Sequence, residues 1–215
     1  MKQVAVLGSG QVGQVLADGF LHHGYAVVRG TREPGKLESW RIAAGANASV
    51  ATFAEAASAA EIVVLAIKGT AAEAVVELCG ADALAGKVVI DATNPIADAP
   101  PVNGVLKFFT SLDESLMERL QRRAPAARFV KAFSQVGNAV MVNPTLPGGP
   151  PTMFICGNDP AARMVVRGIL DQFGWETEDL GAIEAARAIE PLCMLWCIPG
   201  FTQNRWNHAF RLLRP

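Results

Sequence analysis

Six residues near the start of the chain, Gly8-Ser9-Gly10-Gln11-Val12-Gly13, constrain its fold more than any other stretch. They have the spacing G-x-G-x-x-G and directly follow the apolar run at residues 4–7. Behind them apolar residues recur at helical spacing as far as Phe20, and Gly24 stands where such a helix would end. The sequence therefore predicts a strand, a tight turn and a helix in direct succession.

Each glycine of this turn has a physical reason. Gly8 permits the sharp turn, Gly10 lets the backbone approach a pyrophosphate, and Gly13 lets the helix pack closely on the strand. The free amides and the positive end of the helix then face an anion. With a second strand at residues 25–28, this order predicts a dinucleotide-binding unit. The alternative is a glycine turn in some other doubly wound domain.

The residues after the second strand indicate which dinucleotide is bound. NAD-specific domains place Asp or Glu there to bond the ribose 2′-hydroxyl, but this chain has Gly30-Thr31-Arg32 and then Lys36. A hydroxyl and two cations suit a 2′-phosphate, because charge-assisted donors bind it strongly. We therefore predict NADP(H), the alternative being a solvated basic turn.

Alternating helix and strand patterns continue along the chain. They predict an α/β fold of the Rossmann type, a doubly wound and mainly parallel sheet with a short C-terminal helical tail. The tail is predicted as two helices, at residues 182–198 and 202–213, broken at Pro199-Gly200. We expect residues 1–180 to form the nucleotide-binding domain and residues 181–215 to pack on it as part of one unit.

The carboxyl ends of the middle strands should hold the nicotinamide end of the cofactor, because ligands of such sheets lie there. The residues predicted at those ends are Ala66, Ile67, Lys68, Asn94, Pro95 and Ala132. Lys68 has an alternative interpretation as an ordinary surface lysine.

Composition excludes several classes of protein. The chain has 215 residues, 51% of them hydrophobic, and a formal net charge of −1, so no basic surface for nucleic acid or anionic membrane is expected. We expect a cytoplasmic protein, since no run has membrane-spanning length. Four cysteines lack the companions of a zinc set and are interpreted as buried free thiols. No catalytic triad or metal spacing is present, and for Asp91 and Glu190 a structural role is favoured over acid–base chemistry.

The chain resembles the NADPH-dependent coenzyme F420 reductases and their bacterial relatives, and also the NADPH domain of membrane ferric reductases. The resemblance covers nearly the whole chain and rests on the glycine turn, on Gly30-Thr31-Arg32, and on the segments at residues 90–95, 130–133 and 187–192. It implies direct hydride exchange between NADP(H) and a small-molecule acceptor, coenzyme F420 or a flavin, without a catalytic side chain. The sequence departs from the family at Ser134-Gln135, where Asn-Thr or His-Thr is usual.

The acceptor is expected beside the nicotinamide, with side chains from several elements as its second wall. The candidates are Phe133, Ser134, Gln135, Met141, Pro191 and Leu195. Apolar groups in the tail, including Trp206, Phe210 and Leu213 at helical spacing, predict a homodimer. Two other functions stay open: a reductase of a small carbonyl or imine, and a non-catalytic NADP(H) sensor.

Overall fold

Six parallel strands form the central sheet in a computed structural model that describes residues 2–214. Their order is β3-β2-β1-β4-β5-β6, and every neighbouring pair is parallel. The strands are β1 (Gln3–Leu7), β2 (Ala26–Gly30), β3 (Ala48–Ala51), β4 (Ile62–Leu65), β5 (Val88–Asp91) and β6 (Arg128–Lys131). Every residue of β4 and β5 is buried, as expected for central strands covered on both faces. The predicted Rossmann-type fold is confirmed.

Helices cover both faces of this sheet. They are α1 (Gln11–His22), α2 (Glu38–Ala44), α3 (Phe53–Ala59), α4 (Gly69–Cys79), α5 (Ala81–Leu84), α6 (Leu116–Arg123), α7 (Pro160–Gln172) and α8 (Ala186–Gln203). One core lies between the sheet and α1 with α7, and the other lies between the sheet and α3, α4 and α6. The sheet order reverses between β1 and β4, which opens a crevice at their carboxyl ends.

A second sheet of two parallel strands extends the fold beyond β6. It consists of β7 (Thr152–Ile155) and β8 (Glu176–Asp179), connected through α7. The Lys131 amide donates to the Cys156 carbonyl at 2.9 Å, so this sheet is joined to the end of β6. Strand β6 stops there because Phe133 has a positive φ of 63°, which turns the chain away from the sheet.

The C-terminal segment differs from the prediction. Helix α8 continues through Pro191 and Pro199 and ends at Gln203, with Asn204 as its C-cap in a left-handed backbone conformation. The predicted break at Pro199-Gly200 is therefore wrong, because proline's fixed φ is compatible with a helix even though a hydrogen bond is lost.

The predicted second helix at residues 202–213 is also wrong beyond Gln203. The chain from residue 204 to residue 214 is irregular and follows the surface, where the Thr152 amide donates to the Phe210 carbonyl at 2.9 Å. The indole of Trp196 donates to the His208 carbonyl at 2.7 Å and stacks on the His208 ring. Tertiary contacts, and not helical periodicity, thus fix this segment.

Candidate cofactor and acceptor site

The glycine turn is packed so tightly that two of its glycines cannot be replaced without moving backbone. A Cβ on Gly8, which has a φ of +145°, would lie 2.1 Å from the Ala66 carbonyl oxygen. A Cβ on Gly13 would lie 2.6 Å from the Gly8 carbonyl oxygen. A Cβ on Gly10, by contrast, would meet no atom within 4 Å. Gly10 therefore borders open space, as a backbone that a pyrophosphate approaches must do.

The first turn of α1 is prepared for an anion. Gly10 is its N-cap, no side chain caps it, and no acidic residue lies in the first turn. The Gln14 amide donates to the Gly10 carbonyl at 3.0 Å, so the amides of the three residues before Gln14 have no hydrogen-bond acceptor within the helix. Open space next to these amides fits the diphosphate of a dinucleotide.

A cavity of about 650 Å³ runs from this turn along the carboxyl edge of the sheet. Most of the sequence-predicted cofactor residues line it together: Gly8, Ser9, Gly10, Gln11, Val12, Thr31, Arg32, Lys36, Ala66, Ile67 and Lys68. Apolar side chains on α3 and α4, including Phe53, Val75 and Leu78, complete one wall. The residues present therefore fit a dinucleotide with its phosphates at α1.

The basic turn lies at one end of the cavity. Thr31 is buried, with its amide bonded to the Ala51 carbonyl at 3.1 Å, and Arg32 is exposed on the wall. The Lys36 ammonium is 2.8 Å from a carboxylate oxygen of Glu33, and both side chains are exposed. This hydrogen bond lowers the pKa of Glu33. Arg32 is therefore the cation of this turn with the greater freedom to meet a phosphate.

The opposite end of the cavity lies where β4 and β5 end. Ile67 and Ala92 contribute apolar surface, and Lys68 is exposed, with Asp98 3.9 Å away. Asn94 donates from its side-chain nitrogen to the Ser134 carbonyl at 2.7 Å, which connects the ends of β5 and β6. Asn94, Pro95, Ala132 and Gly13 do not line the cavity, although Gly13 supports the turn from below.

The acceptor-side candidates separate into core residues and surface residues. Phe133 and Met141 are buried in the core, and the Phe133 ring packs 6.0 Å from that of Phe173. Neither side chain is accessible at the surface of this structure, so their role as a wall for the acceptor stays a prediction.

The remaining candidates differ in exposure. Ser134 and Gln135 are also buried, and the Gln135 amide nitrogen donates to the Thr152 carbonyl at 3.0 Å. Pro191 and Leu195 lie on α8, where Leu195 is 54% exposed. Leu195 is thus the candidate that a small molecule can contact most readily.

A buried ionic cluster lies behind the β5 end. The Lys131 ammonium is 2.8 Å from Asp91 and 2.9 Å from Glu190, and all three side chains are almost wholly inaccessible. The same ammonium donates to the Thr93 carbonyl at 2.9 Å. These contacts raise the pKa of Lys131. The structural interpretation of both carboxylates is confirmed.

Each carboxylate of this cluster also accepts bonds from backbone. Asp91 accepts from the amide and the hydroxyl of Thr93 at 2.9 and 2.7 Å, which shapes the loop after β5. Glu190 accepts from the amides of Leu116 and Met117 at the start of α6, at 3.0 and 3.1 Å. The cluster therefore holds β5, β6, α6 and α8 together at this edge of the sheet.

Arg29 is the functional candidate whose role the sequence did not indicate. Its side chain is buried within β2, and its guanidinium donates to the carbonyls of Gly8 and Gly10 at 3.1 and 3.4 Å. Burial lowers its pKa, while the charge of Asp18 acts in the opposite direction. The signal in the sequence was an arginine in an otherwise apolar strand.

The described lining of the cavity contains no cysteine. Burial raises the pKa of Cys79 and of Cys156 to about 12, and the prediction of buried thiols is confirmed for these two and for Cys193, whereas Cys197 is half-buried. Within residues 2–214 no three His, Cys, Asp or Glu side chains are grouped to hold a metal ion. Over the same residues, none of the helices combines the length and the apolar character needed to span a bilayer.

Comparison with known proteins places these features in a family. Residues 3–95 match the family model for NADP oxidoreductase, coenzyme F420-dependent. A solved structure from Arthrobacter sp. FB24, to which an F420-dependent NADP reductase activity has been ascribed, is 32% identical over 100% of both chains with a TM-score of 0.92. An imine reductase from Streptomyces aurantiacus is 22% identical with a TM-score of 0.66, covering 93% of this chain and 63% of its own, so it shares the fold.

Metalloreductase STEAP3 of Rattus norvegicus is 32% identical over 206 residues. The match covers 92% of this chain but only 38% of the rat protein, so the chain spans about two fifths of that relative. The Arthrobacter match, in contrast, extends over both chains in full. The chain therefore belongs to the family of coenzyme F420-dependent NADP oxidoreductases, and it is an NADP-dependent oxidoreductase with NADP(H) as its cofactor.

Proposed function

We propose that this protein transfers a hydride between NADP(H) and a planar ring acceptor, a deazaflavin such as coenzyme F420 or a flavin. The observation that carries the proposal is the lining of the cavity where β4 and β5 end. Ala66, Ile67 and Ala92 present backbone and apolar surface there, next to the exposed Lys68, and Glu33, the carboxylate of the described lining, lies at the opposite, basic end. Such a lining suits direct transfer between two ring carbons, which needs contact and exclusion of water and no proton-transfer side chain.

The chain's own residues would hold the cofactor at three places. The amides at the start of α1 would bind the diphosphate, and Arg32 with Thr31 would bind the 2′-phosphate. The backbone at residues 66–68 would border the nicotinamide, which supplies or receives the hydride when the cofactor is bound. Ile67 would exclude water from that contact, so the protein's contribution is position and environment.

The alternatives make different demands on the chain. The solved imine reductase extends well beyond the part that this chain matches, and at 22% identity the likeness shows the fold alone. A sensor would bind NADP(H) at the same turn without an acceptor. No feature of the described cavity favours either, so both are treated as outcomes of the experiment.

Anaerobic turnover assays test the proposal. Purified protein with NADPH is given coenzyme F420, FMN, FAD or a cyclic imine in turn, and loss of nicotinamide absorbance is followed. With NADPH deuterated at the transferred position, label should appear on the ring carbon of the reduced deazaflavin if transfer is direct. Turnover of the imine alone would replace the proposal with imine reduction, and tight NADPH binding without turnover of any acceptor would favour the sensor.

We also propose that Leu195 contributes to the acceptor side. It is exposed on α8, the helix that Glu190 joins through Lys131 to Asp91 at the end of β5. Leu195→Trp should therefore raise the acceptor KM while leaving NADPH affinity unchanged. Met164→Trp on α7, where the native side chain is also exposed, is the matched control for added bulk. Equal acceptor kinetics in both variants would remove Leu195 from the site.

The homodimer expected from the sequence stays a proposal with a different surface. Trp196 packs over Gly137 inside the subunit, so the exposed aromatic residues near it, Phe201 and Trp206, are the group that a second copy would cover. Light scattering at micromolar concentration should give twice the 22.7 kDa chain mass. A monomeric mass would rule the dimer out.

A further inference from the structure

Arg29 occupies an unusual position for a charged residue. It lies in the second strand of the sheet, directly below the glycine turn, and is 1% exposed. One nitrogen of its guanidinium, Nη2, donates to the Gly8 carbonyl at 3.1 Å and to the Gly10 carbonyl at 3.4 Å. A Cβ on Gly13 would come within 3.6 Å of the same nitrogen. The guanidinium thus lies between the turn and the start of α1.

The charge of Arg29 is compensated only in part inside the protein, by the through-space charge of Asp18. No carboxylate in residues 2–214 forms an ion pair with it, and its Nε has no hydrogen-bond partner there. The other neighbour is the Trp40 ring, whose centroid is 4.8 Å from the guanidinium carbon. Asp18 acts on Arg29 only through space, because its oxygen accepts from the Trp40 indole at 2.7 Å and its side chain is exposed.

A buried and unpaired cation is costly, since burial disfavours the charged form. Such a charge is retained more readily where an anion binds nearby and restores neutrality. The nearest surface that fits an anion is the uncapped start of α1, whose N-cap Gly10 is one of the two residues that Arg29 holds.

We propose that Arg29 is a buried counter-charge for the diphosphate of NADP(H), acting through the glycine turn as a positioning residue. Its bonds to two carbonyls turn those oxygens away from the cavity, so the intervening amides face the anion. Its positive charge adds to that of the helix end through protein of low polarity. The proposal rests on NADP(H) binding at this turn and is independent of the acceptor's identity.

Arg29 and Arg32 should therefore have separable effects. Arg32 acts on the 2′-phosphate and discriminates NADPH from NADH. Arg29 acts on the diphosphate, which both cofactors contain, and should support both equally. Adenosine 2′-monophosphate, which lacks the diphosphate, should not depend on Arg29.

The test uses Arg29→Met, which keeps length and apolar contact but removes the charge. Affinities for NADPH, NADH, ADP and adenosine 2′-monophosphate are measured by calorimetry or by competition against NADPH fluorescence. At an effective dielectric constant of about 20, removing a positive charge that lies across the glycine turn from the diphosphate should weaken diphosphate binding by about ten- to thirty-fold. We expect that loss for the three diphosphates and less than two-fold for adenosine 2′-monophosphate.

The Tm of the ligand-free protein separates the proposed role from a purely structural one, because the two roles predict opposite changes in this Tm. Removing an unpaired buried cation should leave the Tm of the free protein unchanged or raise it, while the Tm increase on adding NADP⁺ becomes smaller. A lower Tm without ligand, together with equal losses for all four ligands, would overturn the proposal and leave Arg29 as a packing residue.

Two further variants keep the test decisive if Arg29→Met does not fold. Arg29→Lys retains the charge and should lose less than three-fold affinity for the diphosphates. Asp18→Asn keeps the acceptor for Trp40 but removes an opposing charge, and should tighten diphosphate binding by about two-fold at low salt. A loss in Arg29→Lys as large as ten-fold, or weaker binding in Asp18→Asn, would contradict the assignment.

Discussion

Replacing Lys131 with Met should destabilise this protein more than other single changes at the site. The Lys131 ammonium lies 2.8 Å from Asp91 and 2.9 Å from Glu190, and the three side chains are almost wholly inaccessible to water. Methionine has a similar length but no charge, so two carboxylates would be left buried without a cation. Breaking a buried ion pair in this way costs about 3–5 kcal/mol. That is a large share of the roughly 5–15 kcal/mol that stabilises a typical domain.

The backbone bonds of the two carboxylates place the estimate within this range. Asp91 would keep two bonds from Thr93, and Glu190 would keep those from the amides of Leu116 and Met117. Partial compensation of this kind favours the lower half, about 3–4 kcal/mol at pH 7. Urea unfolding monitored by tryptophan fluorescence measures it, because the chain has four Trp residues.

The pH dependence of the loss identifies its cause. In Lys131→Met the folded protein should bind more protons than the unfolded chain, since an orphaned buried carboxylate becomes neutral by protonation. The difference from the native protein should therefore shrink as the pH falls from 8 towards 5. The triple variant Asp91→Asn, Lys131→Met, Glu190→Gln keeps oxygen acceptors without buried charge and should recover most of the loss. A loss below 1 kcal/mol, or one independent of pH, would refute this account of the cluster.

Three other predictions follow from the geometry of the cofactor cavity and its support. Arg32→Ala should weaken NADPH binding by about 1.5–3 kcal/mol, because Lys36 is bonded to Glu33 at 2.8 Å and leaves Arg32 as the main cation for the 2′-phosphate. NADH lacks this phosphate, so its binding should be nearly unchanged. Equal calorimetric losses for both cofactors would contradict this. Gly10→Ala should fold normally, because its Cβ meets open space, yet bind NADPH more weakly. Gly8→Ala should unfold at a lower urea concentration, because its Cβ would lie 2.1 Å from the Ala66 oxygen. Similar urea midpoints for the two variants would count against these roles. Glu118→Gln should cost about 1–2 kcal/mol at pH 7, since Arg187 holds the pKa of Glu118 at about 2. This difference should shrink as the pH falls from about 4.5 through 2, where the native carboxylate becomes protonated, and a difference equal at pH 7 and pH 2 would exclude the ion pair as its cause.

The nucleotide-binding part of the fold could be predicted because its signals are local. The glycine turn fixes a strand before it and a helix after it, and the apolar run at residues 61–67 predicts a central strand by itself. Parallel order then follows from the alternation of helices and strands. The preference for NADP(H) could likewise be predicted locally, because no Asp or Glu stands directly after the second strand, where NAD-specific domains have one.

The C-terminal segment could not be predicted, because long-range contacts decide its conformation. Trp206, Phe210 and Leu213 have helical spacing, yet Trp206 packs against Gly200 and Trp196, and Leu213 is 79% exposed. Helical propensity is a weak preference that such contacts override. The inward position of Phe133 was similarly hidden, since a positive φ at a non-glycine residue leaves no mark in the sequence.

Buried charge connects the parts of the site that sequence patterns treated separately. Lys131 bonds to the Thr93 carbonyl in the loop after β5, and its partner Glu190 belongs to α8 and caps α6. A displacement of α8 would therefore separate charges that have no access to water, which is costly at this depth. The loop after β5 and the helix that carries Leu195 are thus held in one arrangement. For the proposed hydride transfer between two rings, such rigidity would contribute the fixed orientation that lowers the barrier.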